Sequence, residues 1–306
     1  MLSGLTATMT LLAACSGTAV QSTPATSPQM PSKLAGPPRQ PEIFFNARYQ
    51  DGGTSYIYGY PRPQFIKVVV GVRGTGYCSD RAGGVWIATG DSALYHLHHD
   101  GNLGSGLSVF NMTTWSCAVD PKTNALAVTT DLDGTVAIFA NQRGYATVYS
   151  TGLSDALYCA FDARGDVFVD GLDGKKGALA ELPRGGRAFK MVKLPKPIAG
   201  IYALQWDGEN LAVEASQADG EITIYRLGVT SFRAVILGTT HLLTKHRLSP
   251  YPGTEFWIEG HNILEGTGNV RFSHFSYLEF WRYPGGGQAF RVKRVPAEIG
   301  GLAVSD

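Results

Sequence analysis

The chain has 306 residues, of which 44% are hydrophobic and only 17% are charged, and its formal net charge is +1. A nucleic-acid partner requires a basic stripe, so this balance argues against one. The sequence also shows no polybasic cluster of the kind that binds anionic lipid. The 38 glycines suit short strands joined by many tight turns, and the apolar fraction is ample for a large core.

Residues 1–14 form a stretch of apolar and small residues, which predicts a secretory signal peptide because the stretch is too short to span a bilayer. It leads into Leu12-Ala-Ala-Cys15, which resembles the lipobox of bacterial lipoproteins. The resemblance implies that Cys15 becomes the lipid-modified first residue after cleavage. No Lys or Arg precedes the apolar run, and the alternative is an ordinary signal peptide with an incidental cysteine.

Residues 15–42 are rich in Pro, Ser and Thr and poor in large apolar residues. Such a segment cannot bury enough surface to offset its ordering entropy, and its prolines favour an extended tether. We therefore expect a globular domain joined by a tether to the N-terminal lipid, which would bind the protein to the membrane. The expected location is the bacterial cell envelope, at the outer membrane or the outer face of the cytoplasmic membrane.

Residues 43–306 repeat one pattern: a short apolar strand, an acidic or polar turn, a second apolar strand and a strand rich in aromatics. The step between turns is roughly forty to forty-five residues, and that period with about four strands per unit is typical of a β-propeller. The clearest copies are Cys117-Ala-Val-Asp120 with Leu126-Ala-Val-Thr129, and Cys159-Ala-Phe-Asp162 with Val167-Phe-Val-Asp170. The others are Tyr77-Cys-Ser-Asp80 with Val85-Trp-Ile-Ala88, Leu204-Gln-Trp-Asp207 with Leu211-Ala-Val-Glu214, and Arg247-Leu-Ser-Pro250 with Phe256-Trp-Ile-Glu259.

We predict an all-β fold, a six-bladed β-propeller of four-stranded blades. Ile43-Phe-Phe-Asn46 is interpreted as a second strand with no first strand before it, and Gly301-Leu-Ala-Val-Ser-Asp306 as a first strand with nothing after it. Joining the C-terminal strand to the N-terminal strands closes the ring and removes its open edges. The alternative is a seven-bladed ring with an extra hairpin between Gly260 and Ser276.

Three cysteines follow the repeat. Cys117 and Cys159 occupy the same place in consecutive first strands, and Cys78 lies one residue out of that register, so it should point to the other face. Equivalent positions in neighbouring blades are usually too far apart for a disulfide. We therefore expect buried, inert thiols; the alternatives are a Cys117–Cys159 disulfide, favoured by an oxidising compartment, and a metal-binding or catalytic thiol.

His96 and His98 lie on one face of a predicted third strand. Two histidines so spaced could bind a metal, but third strands lie toward the outer rim, where exposed histidines are common. The ordinary interpretation is a pair of surface side chains.

The face that carries the loops between second and third strands is where a propeller would present a ligand site. The predicted second strands each end in a polar residue, and the last three of these residues form an acidic arc that could bind a cation such as calcium or a polyhydroxylated ligand. Against this, Asp, Asn and Thr favour turns for purely local reasons. The six candidate residues are Asn46, Thr89, Thr129, Asp170, Glu214 and Glu259.

The segment from Gly260 to Ser276 is the least repeat-like part of the chain. A long loop between regular strands is often functional or mobile, so we expect a flap beside the mouth of the channel. Its polar residues include Asn262, Glu265, Asn269, Arg271 and His274.

The second strands of Leu/Phe-Ala/Val-Val-Thr/Asp type, the Asp-Gly turns and the lipobox together resemble bacterial propeller lipoproteins of the NHL and YVTN-like kind. The six-bladed shape also resembles gluconolactonase-type hydrolases, which hold a divalent metal at the channel with Glu, Asn and Asp from inner strands. The predicted inner strands here carry no Glu or Asn at those positions, and no GxSxG, HExxH or phosphate-loop motif occurs.

These observations favour a non-enzymatic binding or scaffold protein that takes a protein, peptide or glycan ligand and needs no cofactor. One alternative is a metal-dependent hydrolase of the lactonase or esterase class, with Asp170, Glu214 and Glu259 as displaced metal ligands. A further alternative is a purely structural component of the envelope.

Overall fold

The computed structural model describes residues 40–47, 53–109, 111–130, 134–198, 201–216, 221–244, 246, 255–267, 275–296 and 299–305. The chain divides into two units, Met1–Pro38 and Arg39–Asp306, and every described residue belongs to the second. The predicted signal peptide, Cys15 and most of the predicted tether lie outside the described residues, as do Asn269, Arg271 and His274. Among the described residues no helix is long and apolar enough to cross a membrane.

Almost all regular structure in the described part is β-strand, with one short 3-10 turn at Ala140–Gln142. The strands of the first half are β1 (Glu42–Ala47), β2 (Thr54–Gly59), β3 (Phe65–Val70), β4 (Gly76–Ser79), β5 (Val85–Ala88), β6 (Ala93–Leu97), β7 (Leu107–Ser108), β8 (Thr114–Val119), β9 (Leu126–Thr130), β10 (Thr135–Phe139) and β11 (Ala146–Ser150). Those of the second half are β12 (Asp155–Phe161), β13 (Val167–Asp173), β14 (Lys176–Leu182), β15 (Lys190–Met191), β16 (Ile201–Trp206), β17 (Leu211–Ser216), β18 (Ile222–Thr230), β19 (Arg233–Leu243), β20 (Phe256–Glu259), β21 (Asn262–Thr267), β22 (Ser276–Arg282), β23 (Gly286–Val295) and β24 (Ile299–Val304).

The strands form four sheets of four strands and one sheet of eight. Three of the four-stranded sheets follow chain order, β4 to β7, β8 to β11 and β12 to β15. The eight-stranded sheet has the order β16-β17-β18-β19-β23-β22-β21-β20. Its halves are antiparallel meanders joined by a parallel pairing of β19 with β23 at Leu242–Gly287 and Leu243–Gln288.

The remaining sheet has the order β24-β1-β2-β3, so the C-terminal strand lies beside the first strand of the described chain. Ile43 pairs with Val304 and Phe45 with Leu302. The predicted joining of the two ends within one sheet is therefore confirmed. The terminal strands of the sheets, β4, β8, β12, β16, β20 and β24, contact one another in a closed circuit in that order.

The core lies between the sheets and consists of interdigitated apolar side chains. One cluster joins Phe45 and Tyr58 of one sheet to Leu264 and Phe280 of the next. Strands covered on both faces lose the alternation of apolar and polar residues, because both sets of side chains are buried. This accounts for runs such as that of β5, in which every residue is buried.

The turns after the first strands are acidic because a carboxylate holds each turn together. Asp80 Oδ1 accepts hydrogen bonds from the N–H groups of Ala82 at 2.7 Å and Gly84 at 2.8 Å. Asp162 Oδ1 accepts from the N–H groups two and four residues on in the same way, and Asp207 Oδ1 accepts from those two and three residues on. A side-chain oxygen that accepts bonds from the backbone two residues on is the ordinary reason for Asp in a turn. The repeated aspartates are structural elements of the turns.

Two expectations for the last repeat are wrong. Phe256–Glu259 is a first strand, β20, and its second strand is β21, which lies within the predicted flap. The turn between them has only Gly260 and His261, whereas the other turns are longer and contain the aspartate. The shorter turn shifts the repeat by several residues, and this is why the sequence pattern predicts the wrong strand order there. Only residues 268–274 of the predicted flap lie outside the described chain.

Candidate functional site

Three of the six predicted site residues are buried where a first strand bulges away from a second strand. Asn46 Oδ1 accepts hydrogen bonds from Gly300 N at 3.0 Å and Gly301 N at 2.6 Å. Thr129 Oγ1 accepts one from Ser116 N at 3.0 Å, and Asp170 Oδ1 one from Tyr158 N at 2.9 Å. A bulge removes backbone groups from the ladder, and these side chains satisfy them. The polar atoms predicted to meet a ligand therefore stabilise the inner strands.

The other three predicted residues do not share one position. Glu214 lies on β17 opposite Ala203 and is buried. Glu259 lies at the far end of β20, beside the first-to-second turn, and the residue that matches Glu214 in this repeat is Glu265, opposite Phe256. Thr89 follows β5, where Ala88 occupies the matching place opposite Gly76.

The three residues of the predicted acidic arc therefore do not lie together. Of the three, only Asp170 and Glu214 are close enough for their charges to interact. Burial is the main reason that the pKa of the Asp170 carboxyl lies well above its usual range, and the charge of Glu214 raises it further. Asp170 is fully buried, and its Oδ2 has no hydrogen-bond partner among the described residues. A carboxyl in such surroundings is held in its neutral form.

A buried carboxyl that the sequence analysis missed, Glu255, lies immediately before β20. Its Oε2 accepts hydrogen bonds from Tyr77 N at 2.8 Å and Leu302 N at 3.2 Å, and its Oε1 accepts one from Ser116 Oγ at 2.8 Å. Burial raises the pKa of Glu255 to about 8, against the opposing effect of these bonds. The residue thus ties together the starts of β4, β8 and β24.

Glycine makes this close approach possible. A Cβ added to Gly76 would lie 2.5 Å from the Trp115 carbonyl oxygen and 2.8 Å from Glu255 Oε1, so any larger residue would displace the carboxyl. The signal for Glu255 was present in the sequence as a glutamate before an apolar strand. The sequence pattern predicts a second strand there, whereas β20 is a first strand, and this places Glu255 at the inner strands.

The first strands enclose a cavity of about 150 Å³. Tyr77, Ser116, Tyr158 and Glu255 line it near the starts of these strands, and its walls are largely apolar. At the other end it is lined by Arg81 and Pro121, which are exposed and belong to first-to-second turns. Half-buried Trp206 and Trp257 also line it. The cavity therefore reaches the face of the first-to-second turns, whereas the sequence analysis expected a site on the opposite face.

The buried tyrosine, cysteine and glutamate side chains that line the cavity are held without charge. Burial raises the pKa of the Tyr77 and Tyr158 hydroxyls and of the Cys159 thiol above their usual ranges. Tyr77 OH lies 2.6 Å from Ser55 Oγ, which adds a partner inside the sheet. A thiol whose pKa is raised supplies little thiolate, so Cys159 is a poor nucleophile.

The cysteine pairing differs from both main expectations. Cys78 and Cys117 form a disulfide with Cα atoms 5.6 Å apart, and Cys159 is a free, buried thiol. Cys117 and Cys159 both face backward, each toward the preceding sheet, so they do not meet. Cys78 faces forward because of its one-residue offset, and it meets Cys117 in the core between the two sheets. The one-residue offset that turns Cys78 to the other face of its sheet is the cause of the bond.

His96 makes contacts that stabilise a sheet. Its Nε2 lies 2.6 Å from Asp80 Oδ2, and its ring stacks on Trp86 with centroids 4.6 Å apart. The ring of His98 lies 4.2 Å from that of His96. Within the described residues no three His, Cys, Asp or Glu side chains are grouped in a way that could hold a metal ion.

No protein-family model and no curated protein matches the chain. Solved structures do resemble it. A chain from a crystallised nidogen/laminin complex superposes with a TM-score of 0.63, covering 86% of this chain and 98% of that one at 9% identity. A protein of unknown function from Bacteroides caccae gives 0.57, with 87% and 99% covered at 11% identity. The β-propeller domain of Cps50 (Swd1) from Myceliophteria thermophila gives 0.54, with 84% and 85% covered at 15% identity.

These likenesses show the fold. The chain is a β-propeller, and its four-stranded sheets are consistent with propeller blades. At such low identity the neighbours carry no information about the ligand.

Proposed function

We propose that the protein is a non-enzymatic binding protein that accepts one side chain of a protein or peptide partner into its central cavity. The observation that carries this proposal is the size and lining of the cavity. Pockets for whole small molecules usually hold about 300 Å³ or more. A space of about 150 Å³ suits a single inserted group, with the rest of the partner resting on the turns around it.

The walls favour an inserted group that is largely apolar. Apolar side chains dominate the lining, and Trp206 and Trp257 are positioned to contact a ligand with their rings.

The chemistry of the lining supports binding over catalysis. Glu255, the carboxyl in the lining, is engaged by backbone N–H groups, and burial favours its neutral form. A hydrolase would need an activated nucleophile or a metal within reach of the cavity. The buried thiol of Cys159 does not fit the first requirement, and the described side chains do not supply a cluster for the second.

We infer that the ring has six blades. The eight-stranded sheet is best interpreted as two blades, since its halves are joined at only two residue pairs. The closed circuit of terminal strands β4, β8, β12, β16, β20 and β24 supports the same number. The shared sheet of β24 with β1, β2 and β3 would then be the blade that closes the ring.

We further propose that the chain is an exported lipoprotein, with a signal peptide at residues 1–14, a lipid on Cys15 and a tether to residue 42. The support is the Leu12-Ala-Ala-Cys15 motif and the composition after it. Its likeness to propeller lipoproteins of the NHL and YVTN-like kind is part of this proposal. A Cys15→Ser variant should leave the membrane fraction of the host, and an unchanged distribution would contradict the anchor.

The cavity is tested by selecting random displayed peptides on the immobilised full chain. The Ala118→Phe variant places a ring in the cavity wall, whereas Ala163→Phe places one on an exposed turn as the control. Selected peptides should bind Ala118→Phe roughly tenfold more weakly than the wild type, a loss of about 1.4 kcal/mol, and should bind the control equally well. Equal binding to Ala118→Phe, with an unchanged melting temperature, would contradict the proposal.

A further inference from the structure

We propose that the outer edge of the molecule between β3 and β23 docks on an anionic lipid surface. This surface, the rim cleft, consists of Phe65, Val68 and Val70 of β3 with Phe290, Arg291 and Lys293 of β23. It is distinct from the central cavity, and the proposal does not depend on the function assigned to that cavity.

The apolar residues of the rim cleft belong to one continuous layer between two sheets. Phe65 contacts Tyr58 edge-on at 5.6 Å, Tyr60 lies 6.4 Å from Phe280, and Phe280 lies 6.3 Å from Phe290. Tyr58, Tyr60 and Phe280 are buried in the same core cluster. Phe65 and Phe290 are its outward continuation, exposed at 58% and 43%.

The strand register places the remaining residues on the same side. Val68 pairs with Tyr56, and Lys293 pairs with Leu278. Tyr56 and Leu278 both belong to that core cluster. Cross-strand partners point to the same face of a sheet, so Val68 and Lys293 border the cleft. Val68 and Val70 are also exposed, at 36% and 69%.

The charge of the rim cleft is positive. The guanidinium of Arg291 donates to the Pro61 carbonyl oxygen, which links the two sheets, and lies 5.8 Å from the centre of the Phe290 ring. The guanidinium of Arg282 lies 4.4 Å from the centre of the same Phe290 ring. Neither β3 nor β23 contains an aspartate or a glutamate. Glu259, whose charge raises the pKa of Tyr60, is half-buried and belongs to β20 at the inner end of its sheet.

Exposed aromatic and branched residues beside arginine and lysine match the chemistry of a bilayer interface. Apolar side chains enter the boundary between headgroups and acyl chains, and the cations meet the lipid phosphates. A second copy of the chain is a poorer occupant, because an isologous contact would bring together two copies of the same positively charged surface. β3 and β23 lie far apart in the chain, so no single segment of the sequence shows both the apolar and the basic part of this surface.

The experiment uses the full chain with Cys15→Ser, so that no attached lipid contributes, and measures its sedimentation with phospholipid vesicles. Retention on vesicles of mixed phosphatidylglycerol and phosphatidylcholine should exceed retention on pure phosphatidylcholine. Lys293→Glu should weaken retention on the anionic vesicles roughly five-fold or more, the equivalent of about 1 kcal/mol for each cation near the surface. Phe290→Ser should weaken it at least as much, because an inserted apolar side chain is lost.

Two matched variants serve as controls. Val148→Ser removes an exposed apolar residue from β11, another outer strand, and Lys175→Glu reverses an exposed charge in the β13–β14 turn. Both should sediment as the parent does. The proposal is overturned by equal retention on the two kinds of vesicle, by no retention, or by equal losses in the control variants. Thermal unfolding of each variant, which should match the parent, separates lost docking from lost folding.

Discussion

Carboxyl groups at the two ends of the inner strands differ in their protonation. At the first-to-second turns, burial works against ionisation of Asp80, but bonds from His96 and from the N–H groups of Ala82 and Gly84 outweigh it, so its pKa is lowered. At the starts of the first strands, burial dominates, and the pKa of Glu255 rises to about 8 although three donors reach it. The number of hydrogen bonds therefore does not alone decide whether a carboxyl is charged.

The difference lies in the depth of burial and in the partners, since Asp80 and Glu255 both expose little surface. The turn carboxylates lie at the edge of a sheet, and some have a cationic partner, as Asp207 has in Arg226 at 3.0 Å. Glu255 lies deeper, among the first strands, and has only neutral donors. Neutral donors stabilise a buried anion less than water does, so the proton stays bound.

Removal of Glu255 should have the largest effect on stability. Glu255→Ala leaves the buried N–H groups of Tyr77 and Leu302 without an acceptor, at about 1–3 kcal/mol each, so we expect a loss of about 4 kcal/mol in total. Urea unfolding at pH 6 measures it. Glu209→Ala, at an exposed turn residue, is the control and should be close to wild type. A loss no larger than in the control would mean that Glu255 does not hold the first strands together.

The disulfide should have the next largest effect, and it joins β4 to β8, two of the three strands that Glu255 ties together. The bond closes a loop of 39 residues, and loops of that size give up to about 4 kcal/mol of stabilisation. Cys78→Ala with Cys117→Ala should therefore lower the free energy of unfolding by that amount. Reductant should destabilise the wild type but leave the double variant unchanged. Equal sensitivity of both proteins would show that another group is responsible.

A turn carboxylate should contribute less, and its contribution should depend on pH in the opposite direction. Asp207→Ala loses bonds from two N–H groups, from Arg226 and from Tyr283, and should cost about 2 kcal/mol at pH 7. The pKa of Asp207 is lowered in the folded protein, so its contribution is present above the ordinary pKa of 3.8 and is lost as the pH falls further. Unfolding of wild type and variant at pH 7 and pH 3 should therefore differ less at pH 3. A gap that widens in acid would contradict this assignment.

The pH dependence of Glu255 is a gradual effect, because it is spread over the interval from pH 4.5 to about pH 8. A folded-state pKa raised from 4.5 to about 8 means that Glu255 contributes most below 4.5 and progressively less as the pH rises to about 8. Stability should fall by up to about 1.4 kcal/mol per pH unit from this group in that window. Glu255→Gln preserves the shape of the neutral form, so its stability should fall less steeply between pH 5 and pH 8. Parallel profiles of the two proteins would contradict a raised pKa.

The sequence predicted the parts of the fold that depend on short-range pattern. The aspartate turns and the pairing of Ile43 with Val304 follow from local chemistry and from the repeat itself. The misplacement of Glu259 has a local cause too, a turn of two residues where the other repeats have a longer one. A sequence repeat predicts the positions of strands only where its turns keep their length.

The inner site could not be predicted from the same pattern. Glu255 meets Tyr77 and Leu302, which lie 178 and 47 residues away, and no spacing in the chain indicates these contacts. The disulfide required knowledge of which faces of two sheets confront each other. Both features arise from the packing of sheets against one another and not from the pairing of strands within them.

A direct titration of Glu255 tests the central claim, that the inner carboxyls are neutral structural groups around a binding cavity. Glutamate side-chain carboxyl carbons can be followed by NMR from pH 4 to pH 9, and the signal that disappears in Glu255→Gln identifies the residue. The account predicts a midpoint of about 8 for that signal. A midpoint at or below the ordinary value of 4.5 would mean a buried anion at the cavity, and the site would then have to be reconsidered as one for a cation.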